Sequence, residues 1–567
     1  MSGPGTAMTS FATITNGRAI ERSAVPELPL EDLFGAISDA AAAGLRVASF
    51  FGTADPDPAA VVLTVLLADD RNAQLHLGRT RVRGAAFESL TPVCPQVHLF
   101  EREIAEQFGL RATGHPWFKP VRYQRSRRPG YEAFAGPDGE GPLIGVTDFY
   151  RVEGDEVHEV AVGPVHAGVI EPGHFRFQCH GENVFHLEIS LGYQHRGVER
   201  AMLGGPDKRS IHYAETLAGD TSVGHASAYC QVIEALARCQ KTPRAQALRG
   251  IALELERLAN HVGDLGALAN DVAFLPTASY CGRLRGDFLN MTATLCGSRF
   301  GRGMIRPGGV GFDVDEPTIE GLLASLEAAE RDTTSAVELL WNTPSVMARF
   351  EETGPVARET AETLGLVGPA ARACGLLRDV RHDHPSGIFR FAHVPVSTWN
   401  TGDVFARAYV RWLEAQRSID FVREQLRSLP TGDVRRSVGT LAPDRIAVAL
   451  AEGWRGELEL ALGWCDQILA LANGEPVVLG VLERAFRARV HAIRAEQAAA
   501  EIDARSVAQI DRLRGAGFCA AGAAVRTLRS VDRRAAAEPL RQRRRRPVRV
   551  RHGAVPLLEA RADQVDH

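Results

Sequence analysis

Histidine and glutamate side chains are concentrated between residues 163 and 199 of this 567-residue chain. The stretch holds five histidines and four glutamates, and six of these nine residues are candidates for chemistry: His166, Glu171, His174, His180, His195 and Glu199. Imidazole and carboxylate groups can bind a metal ion, relay protons, or form hydrogen bonds in a packed corner of the fold. No pair has a recognised metal-ligand spacing, so the residues alone leave these three interpretations open.

The elements that would position these side chains are a hairpin and a group of helices. Two runs of near-alternating polarity flank the turn signal Gly181-Glu182-Asn183, which predicts a β-hairpin over 175–190. Farther along, Thr242-Pro243 predicts a helix start, and Asp403 precedes a second long stripe of apolar residues at helical spacing. We therefore expect a helical bundle after the hairpin.

The amino-terminal region has a different pattern. Apolar or β-branched runs at 47–51, 61–68 and 75–77 are separated by turn-rich segments, which predicts three strands. A short amphipathic helix is predicted before Gly109. Residues 1–24 are polar and unpatterned, and they predict a flexible tail.

Composition narrows the function classes. A formal net charge of -4 gives no reason to expect nucleic acid as a partner. No apolar run reaches the roughly 18–20 residues that span a bilayer, and the first residues lack a secretory signal pattern. The nine cysteines include no Cys-x-x-Cys pair, so no disulfide framework, zinc site or iron–sulfur ligand set is predicted.

Several motifs resemble one family. GPVHAGVIEPGHFRF and GYQHRGVER resemble the large subunit of membrane-bound energy-converting (group 4) [NiFe] hydrogenases, including formate hydrogenlyase, and the related 49 kDa quinone-site subunit of respiratory complex I. HLFEREIAEQFGLRATGHP resembles the 30 kDa subunit of complex I.

The resemblance implies an α+β fold. A small α/β module (25–123) is followed by a linker (124–150) and a mainly helical hydrogenase-like module (151–455) that opens with the hairpin.

In the hydrogenases, nickel is held by two Cys-x-x-Cys pairs, because soft thiolates hold such a redox-active centre. Alignment on Glu215, Gly219 and His225 places the first pair on Ala218 and Thr221, and only Cys519 stands near the expected second pair. A nickel–iron centre is therefore not expected. GDTSVGH itself resembles the hydrogenase-related branch that lacks these ligands.

The resemblance also implies a cavity. Glu171 corresponds approximately to the glutamate that passes protons in the hydrogenases, and His174, Asp220 and His225 would extend such a relay. The two quinone-binding positions of complex I fall on Gly219 and near Glu171, so neither ligand is reproduced, and quinone binding stays an open alternative.

The implied partners and setting follow from the same family. His195 and Arg196 would lie near a [4Fe-4S] cluster in a small partner subunit, where positive charge raises the cluster's potential. Antiporter-like membrane subunits would hold the chain at the cytoplasmic face of the inner membrane. The expected function is an electron- and proton-handling subunit of such a complex; the alternatives are a quinone-reducing subunit and a non-catalytic structural or relic subunit.

The carboxyl-terminal residues 456–567 depart from the family. After EGWRGEL they are rich in alanine and arginine, with an arginine run at 543–546. A basic tail for anionic lipid or RNA is one interpretation. We prefer a reading-frame shift, because 474–480 can be encoded by codons that give the family's Asn-Pro-Ser-Phe element one base along.

Overall fold

The computed structural model describes residues 11–464, apart from 137, 138, 140, 155, 166–171, 194, 203 and 204. Two predictions lie outside the described residues: the proton-passing role of Glu171 and the proposed frame shift beyond residue 464. Within the described ranges, no helix is both long enough and apolar enough to cross a membrane.

The amino-terminal module is a four-stranded antiparallel sheet in the order β1-β5-β4-β3. Its strands are β1 (Ala12–Ile14), β3 (Arg46–Ala54), β4 (Ala60–Asp69) and β5 (Gln74–Arg83), accompanied by helices α1 (Leu30–Ala42) and α2 (His98–Phe108) and a short parallel pair, β6 (Ala86–Glu88) and β7 (Arg111–Thr113). Helix α2 ends where Gly109 adopts a left-handed conformation. The three predicted strands and the predicted helix are confirmed.

The predicted flexible tail is wrong for residues 12–24. Strand β1 pairs with β5, and β2 (Arg18–Glu21) pairs with β13 (Arg445–Gly453), which forms a hairpin with β14 (Gly456–Trp464). These amino-terminal strands have three and four residues, too few for a periodic signal. Strand β2 finds its partner more than four hundred positions along the chain, so part of the predicted tail shares a sheet with the end of the second module.

The second module opens with the predicted hairpin. Strands β9 (His174–His180) and β10 (Asn183–Ser190) pair around the expected turn, and β8 (Val157–Val162) extends the sheet on the β9 side. Side chains from β10 and neighbouring apolar residues form a small core of their own around Leu187 and Ile189. The hairpin prediction is confirmed.

The remainder is mainly helical and is organised around α6, which packs against α5, α7 and α13. The further elements are α3 (Val198–Ala201), α4 (Ser210–Glu215), α5 (Ser222–Leu236), α6 (Pro243–Asp271), α7 (Leu275–Cys296), β11 (Ile305–Arg306), β12 (Gly309–Val310), α8 (Glu316–Trp341), α9 (Pro344–Phe350), α10 (Arg358–Thr363), α11 (Gly368–Ala373), α12 (Val380–Asp383) and α13 (Val404–Arg427). Thr242 and Asp403 cap α6 and α13 by accepting from the amides of Ala245 and Ala406. The predicted α+β fold is confirmed.

Residues 250–262 of α6 are buried on every side. An ordinary surface helix would alternate an apolar face with a polar one. Yet this stretch contains Glu254, Glu256, Arg257, Asn260 and His261. Each of these polar groups must therefore find a partner inside the protein.

Candidate functional site

The candidate site is the loop between α4 and α5, residues 216–221, together with the β13–β14 turn that contacts it. The Thr221 amide donates to the Ala218 carbonyl over 3.2 Å, which closes the loop just before α5 begins. Ala218 and Thr221 are each 4% exposed, whereas Gly219 is exposed and Asp220 is half-buried. The loop thus presents its middle to the surface and buries its two ends.

Asp220 is held by an arginine that lies 235 positions away. Arg455 Nη1 donates to both carboxylate oxygens of Asp220 over 2.9 and 2.8 Å. The Asn260 side chain donates to the Asp220 carbonyl over 2.8 Å, and the Thr221 hydroxyl donates to Asp220 Oδ1 over 2.8 Å. These contacts fix the loop from α6 on one side and from the β13–β14 turn on the other.

Thr221 has a second partner in the same turn. The indole Nε1 of Trp454 donates to Thr221 Oγ1 over 3.2 Å, and the Arg455 guanidinium lies 4.0 Å from the centre of the Trp454 ring. Gly368 allows the turn to sit there, because a Cβ at Gly368 would lie 2.1 Å from the Arg455 carbonyl oxygen. Its φ of 71° also favours glycine.

A buried carboxylate caps the helix that follows the loop. Glu256 of α6 accepts from the amides of Val223 and Gly224 over 2.7 and 3.1 Å, at the N-terminus of α5. Such a helix end has unpaired amides and a partial positive charge. Packing requires glycine at 224, since a Cβ there would lie 2.6 Å from Leu458 Cδ1 and 3.3 Å from Glu256 Oε1.

Burial raises the pKa of Glu256 to about 8, although the two amide hydrogen bonds lower it and the nearby Asp220 charge raises it further. Near neutral pH this carboxyl can therefore hold or release a proton. Sequence reasoning missed Glu256 and Arg455. The available signal for Glu256 was the density of polar residues in the segment ELERLANH of an otherwise apolar helix.

The loop does not fit the ligand set of a nickel–iron centre. Ala218 presents a buried methyl group, and the Thr221 hydroxyl already donates to Asp220 and accepts from Trp454. Neither offers a thiolate. Across the described ranges, no group of three or more His, Cys, Asp or Glu side chains is arranged to hold a metal ion.

Gly219 leaves open space at the surface of the loop. A Cβ built on this residue would meet no described atom within 4 Å. The space adjoins Asp220, which is half-buried and paired with Arg455. A planar group or another side chain could therefore approach the loop at this point without displacing the chain.

Arg196 and His225 adjoin the loop. The exposed Arg196 guanidinium donates to the carbonyls of Thr216 and Leu217, and His195 precedes it with its amide bound to Gly192. His225 is 3% exposed, and its amide donates to the Thr221 carbonyl over 3.2 Å. Three of the predicted residues, Arg196, Asp220 and His225, thus meet around one loop.

The structure does not bring His174 to this loop. Its Nδ1 lies 3.3 Å from the Gly163 carbonyl, and its Nε2 accepts from Arg176 over 2.9 Å. His180 Nε2 lies 2.6 Å from a Glu156 carboxylate oxygen at the surface. Among described residues, these histidines have their polar partners in the hairpin and the segments beside it.

The chain carries a small α/β module followed by a mainly helical module that buries a polar central helix. Comparison with known proteins identifies its class as subunits of oxidoreductase complexes. Residues 271–452 match the family of the respiratory-chain NADH dehydrogenase 49 kDa subunit, and residues 30–126 match that of its 30 kDa subunit.

Individual relatives show which proteins share this arrangement. The chain is 31% identical over 302 residues to the carbon monoxide-induced hydrogenase of Rhodospirillum rubrum, which covers 53% of this chain and 84% of that protein. It is 28% identical to formate hydrogenlyase subunit 5 of Escherichia coli, over 65% of this chain and 67% of that protein. It is 24% identical to an NADH-quinone oxidoreductase subunit of Bdellovibrio bacteriovorus, over 64% of this chain and 67% of that protein.

The chain therefore belongs to the family that unites these hydrogenase and NADH dehydrogenase subunits. Its relatives are oxidoreductase subunits of membrane-bound hydrogenase, formate hydrogenlyase and NADH-quinone oxidoreductase complexes. The fused 30 kDa-like and 49 kDa-like modules that the sequence predicted are confirmed.

Proposed function

We propose that this chain is the electron- and proton-handling subunit of a membrane-bound oxidoreductase complex and that it works without a nickel–iron centre. The proposal rests on the side chains at the loop, which offer no thiolate. Thr221 is instead hydrogen-bonded to Trp454 and to Asp220, and Asp220 to Arg455. The family membership supports the electron-transfer part.

The residues around the loop supply the proton chemistry. Arg455 Nη1 donates to both oxygens of the Asp220 side chain, and this charge-assisted pair holds a negative group at the loop. Glu256, which binds the amides at the N-terminus of α5, holds a proton near neutral pH because its pKa is raised to about 8. The loop therefore combines a fixed negative group with a buried carboxyl that can exchange a proton.

We further propose partners of two kinds. A small subunit with a [4Fe-4S] cluster would lie against Arg196, whose exposed guanidinium beside the loop supplies positive charge. Antiporter-like membrane subunits would hold the chain at the cytoplasmic face of the inner membrane. The names of the relatives, as subunits of membrane-bound complexes, support this assembly.

The test is the metal content and activity of the complex purified from membranes through a tag on this chain. We expect iron without stoichiometric nickel, no hydrogen uptake, and electron transfer to an acceptor such as a quinone. Stoichiometric nickel with hydrogen activity would overturn the proposal. Recovery of the chain without any membrane or iron–sulfur partner would overturn the proposed assembly.

Quinone reduction is a second candidate, favoured by the open space at Gly219. Gly219→Trp would fill that space, and it should abolish quinone reduction while leaving complex assembly intact. Unchanged quinone reduction would exclude this location for the acceptor. Unchanged whole-complex turnover after Glu171→Gln and Arg196→Ala would instead support a non-catalytic, structural role for the chain.

A further inference from the structure

A cleft of about 870 Å³ lies beside α5, separate from the candidate loop. One stripe of α5 lines it with Ser227, Gln231 and Glu234, opposite residues of β2 and of the segment 384–390. None of residues 218–225 is part of its lining. Arg381 and Glu452, both at least nine-tenths buried, also line this cleft.

These two residues belong to a buried charge cluster. The cluster contains seven ionisable side chains that are no more than 6% exposed: Glu254, Arg257, Arg372, Asp379, Arg381, Glu414 and Glu452. The fully buried His261 is attached to it, with Nε2 placed 2.8 Å from Glu414 Oε2. The cluster lies between α6, α11, α12, α13 and β13, and the cleft brings two of its members, Arg381 and Glu452, to open volume.

The cluster has four carboxylates and three guanidiniums. If all seven were ionised, the cluster would carry one negative charge in excess, and an unpaired buried charge is costly. One bound proton would make the cluster neutral. His261 is not a further cation, because burial lowers its pKa below the usual range. One of the four carboxyls is therefore the acceptor of that proton.

Hydrogen bonding distinguishes the four. Asp379 receives two bonds from Arg381, over 3.0 and 2.6 Å. Glu254 accepts from Arg257, Arg381 and the Ser418 hydroxyl over 3.0, 2.9 and 2.6 Å.

Glu414 is bound by Arg372 over 2.7 Å, and Arg257 Nη1 lies 3.5 Å from it. These bonds stabilise the ionised form of Asp379, Glu254 and Glu414.

Glu452 is the least neutralised member. It receives one guanidinium bond, from Arg372 Nη1 over 2.9 Å, and the same nitrogen also approaches Asp379 at 3.6 Å. Its other partner is the neutral amide of Val380, over 3.0 Å.

The charged groups that act on Glu452 from the surrounding elements are Arg257 of α6, Arg372 of α11, and Asp379 and Arg381 at α12. Glu414 of α13 binds the same Arg372 through its Nε. Burial and the Asp379 charge raise the pKa of Glu452 to about 7, against the attraction of Arg372.

We propose that Glu452 takes up and releases one proton through water in the cleft, so that the buried charge cluster is a proton-exchange site for the neighbouring loop. Proton uptake converts the Glu452 carboxylate to a neutral carboxyl at the expense of a hydronium ion. Glu452 lies two and three residues before Trp454 and Arg455, which bind the loop. Arg257 also donates to the carbonyls of Glu452 and Gly453 over 2.7 and 3.0 Å, which ties this backbone to the cluster.

The role of Glu452 in turnover rests on the proposed function, whereas proton exchange by Glu452 does not. The test is infrared titration of the complex purified through the tagged chain, in H₂O and D₂O, across the pKa of about 7. We expect a protonated-carboxyl carbonyl band that shifts in D₂O and disappears as the pH rises. Glu452→Gln should remove this band, and Glu452→Asp should keep it at a shifted frequency.

Glu234→Gln is the matched control. Glu234 lines the same cleft and is 1% exposed, but Arg249 and Lys241 neutralise it and lower its pKa. The control should leave the band unchanged, and Glu256→Gln should remove only a second band that titrates at higher pH. Persistence of every band in Glu452→Gln, or loss of the same band in Glu234→Gln, would overturn the proposal. This spectrum is readable whether or not the complex turns over, so its failure is distinct from failure of the proposed function.

Discussion

The β9–β10 hairpin and the 216–221 loop differ in the range of their contacts. Among the described residues, the side chains of His174, Arg176 and His180 in β9 make hydrogen bonds to partners at most 24 positions away, and the longest hydrogen bond of β10, from Lys119 to Glu188, spans 69 positions. Loop groups bind residues 40 and 235 positions away, Asn260 and Arg455. The hairpin is richer in histidine, yet the loop is the more constrained site.

Exposure explains why this difference matters for chemistry. The paired side chains of His180 and Glu156 are 45% and 82% exposed, so water and salt screen their interaction. Glu256, at the N-terminus of α5, is buried, and there its pKa rises to about 8. The concentration of histidines in the sequence therefore does not coincide with the buried carboxyl whose pKa is shifted.

The largest effect should come from Glu256→Gln. The pKa of Glu256 is raised in the folded chain, so its contribution to stability is fully present below the unfolded pKa of about 4.5 and is lost as the pH rises through about 8. Glutamine is neutral and can still accept from the α5 amides. The variant should therefore gain on the order of 4 kcal/mol over the wild type between about pH 5 and pH 9.

Denaturant unfolding of the purified chain at a series of pH values checks this. The difference between variant and wild type is the informative quantity, because Glu452 also titrates in this window. Glu234→Gln is the control, since the pKa of Glu234 is lowered and its removal should not produce a gain at high pH. A constant difference from acid to alkaline pH would show that Glu256 does not hold a proton.

Arg455→Ala should have the next largest effect. It removes the guanidinium that donates to both oxygens of Asp220, in a site where the Asp220 and Arg455 side chains are 23% and 18% exposed, which should cost about 2 kcal/mol in the free energy of unfolding. Turnover of the complex should fall as well, because the loop then keeps only the Trp454–Thr221 bond of its two described ties to the β13–β14 turn. Thermal unfolding and whole-complex turnover measure the two effects.

Arg209→Ala is the matched control for that substitution. Arg209 and Asp207 form an ion pair whose side chains are 77% and 43% exposed, so its loss should change stability by less than about 0.5 kcal/mol. If the two substitutions changed stability equally, the Arg455–Asp220 pair would contribute no more than an ordinary solvent-exposed ion pair.

Local signals in the sequence were enough for most of the fold. The alternating residues of β9 and β10, the Thr242 and Asp403 caps and the Gly109 terminus each act within a few positions, and all were predicted. The resemblance to a known family identified the loop.

Neither approach revealed the partners of that loop. Glu256 and Arg455 reach it only after α6 and the β13–β14 hairpin have packed, and β2 finds β13 across more than four hundred positions. Such pairings leave no periodic pattern in one sequence.

His180→Ala should have the smallest effect. Removing an exposed imidazole that pairs with an exposed carboxylate should change the free energy of unfolding by less than about 0.5 kcal/mol and leave turnover unchanged. Thermal unfolding and a turnover assay on the same preparation check both statements. A loss of turnover as large as that of Arg455→Ala, with stability unchanged, would mean that the hairpin takes part in the reaction directly. The functional residues of this subunit would then lie among its exposed side chains and not among those held by long-range contacts.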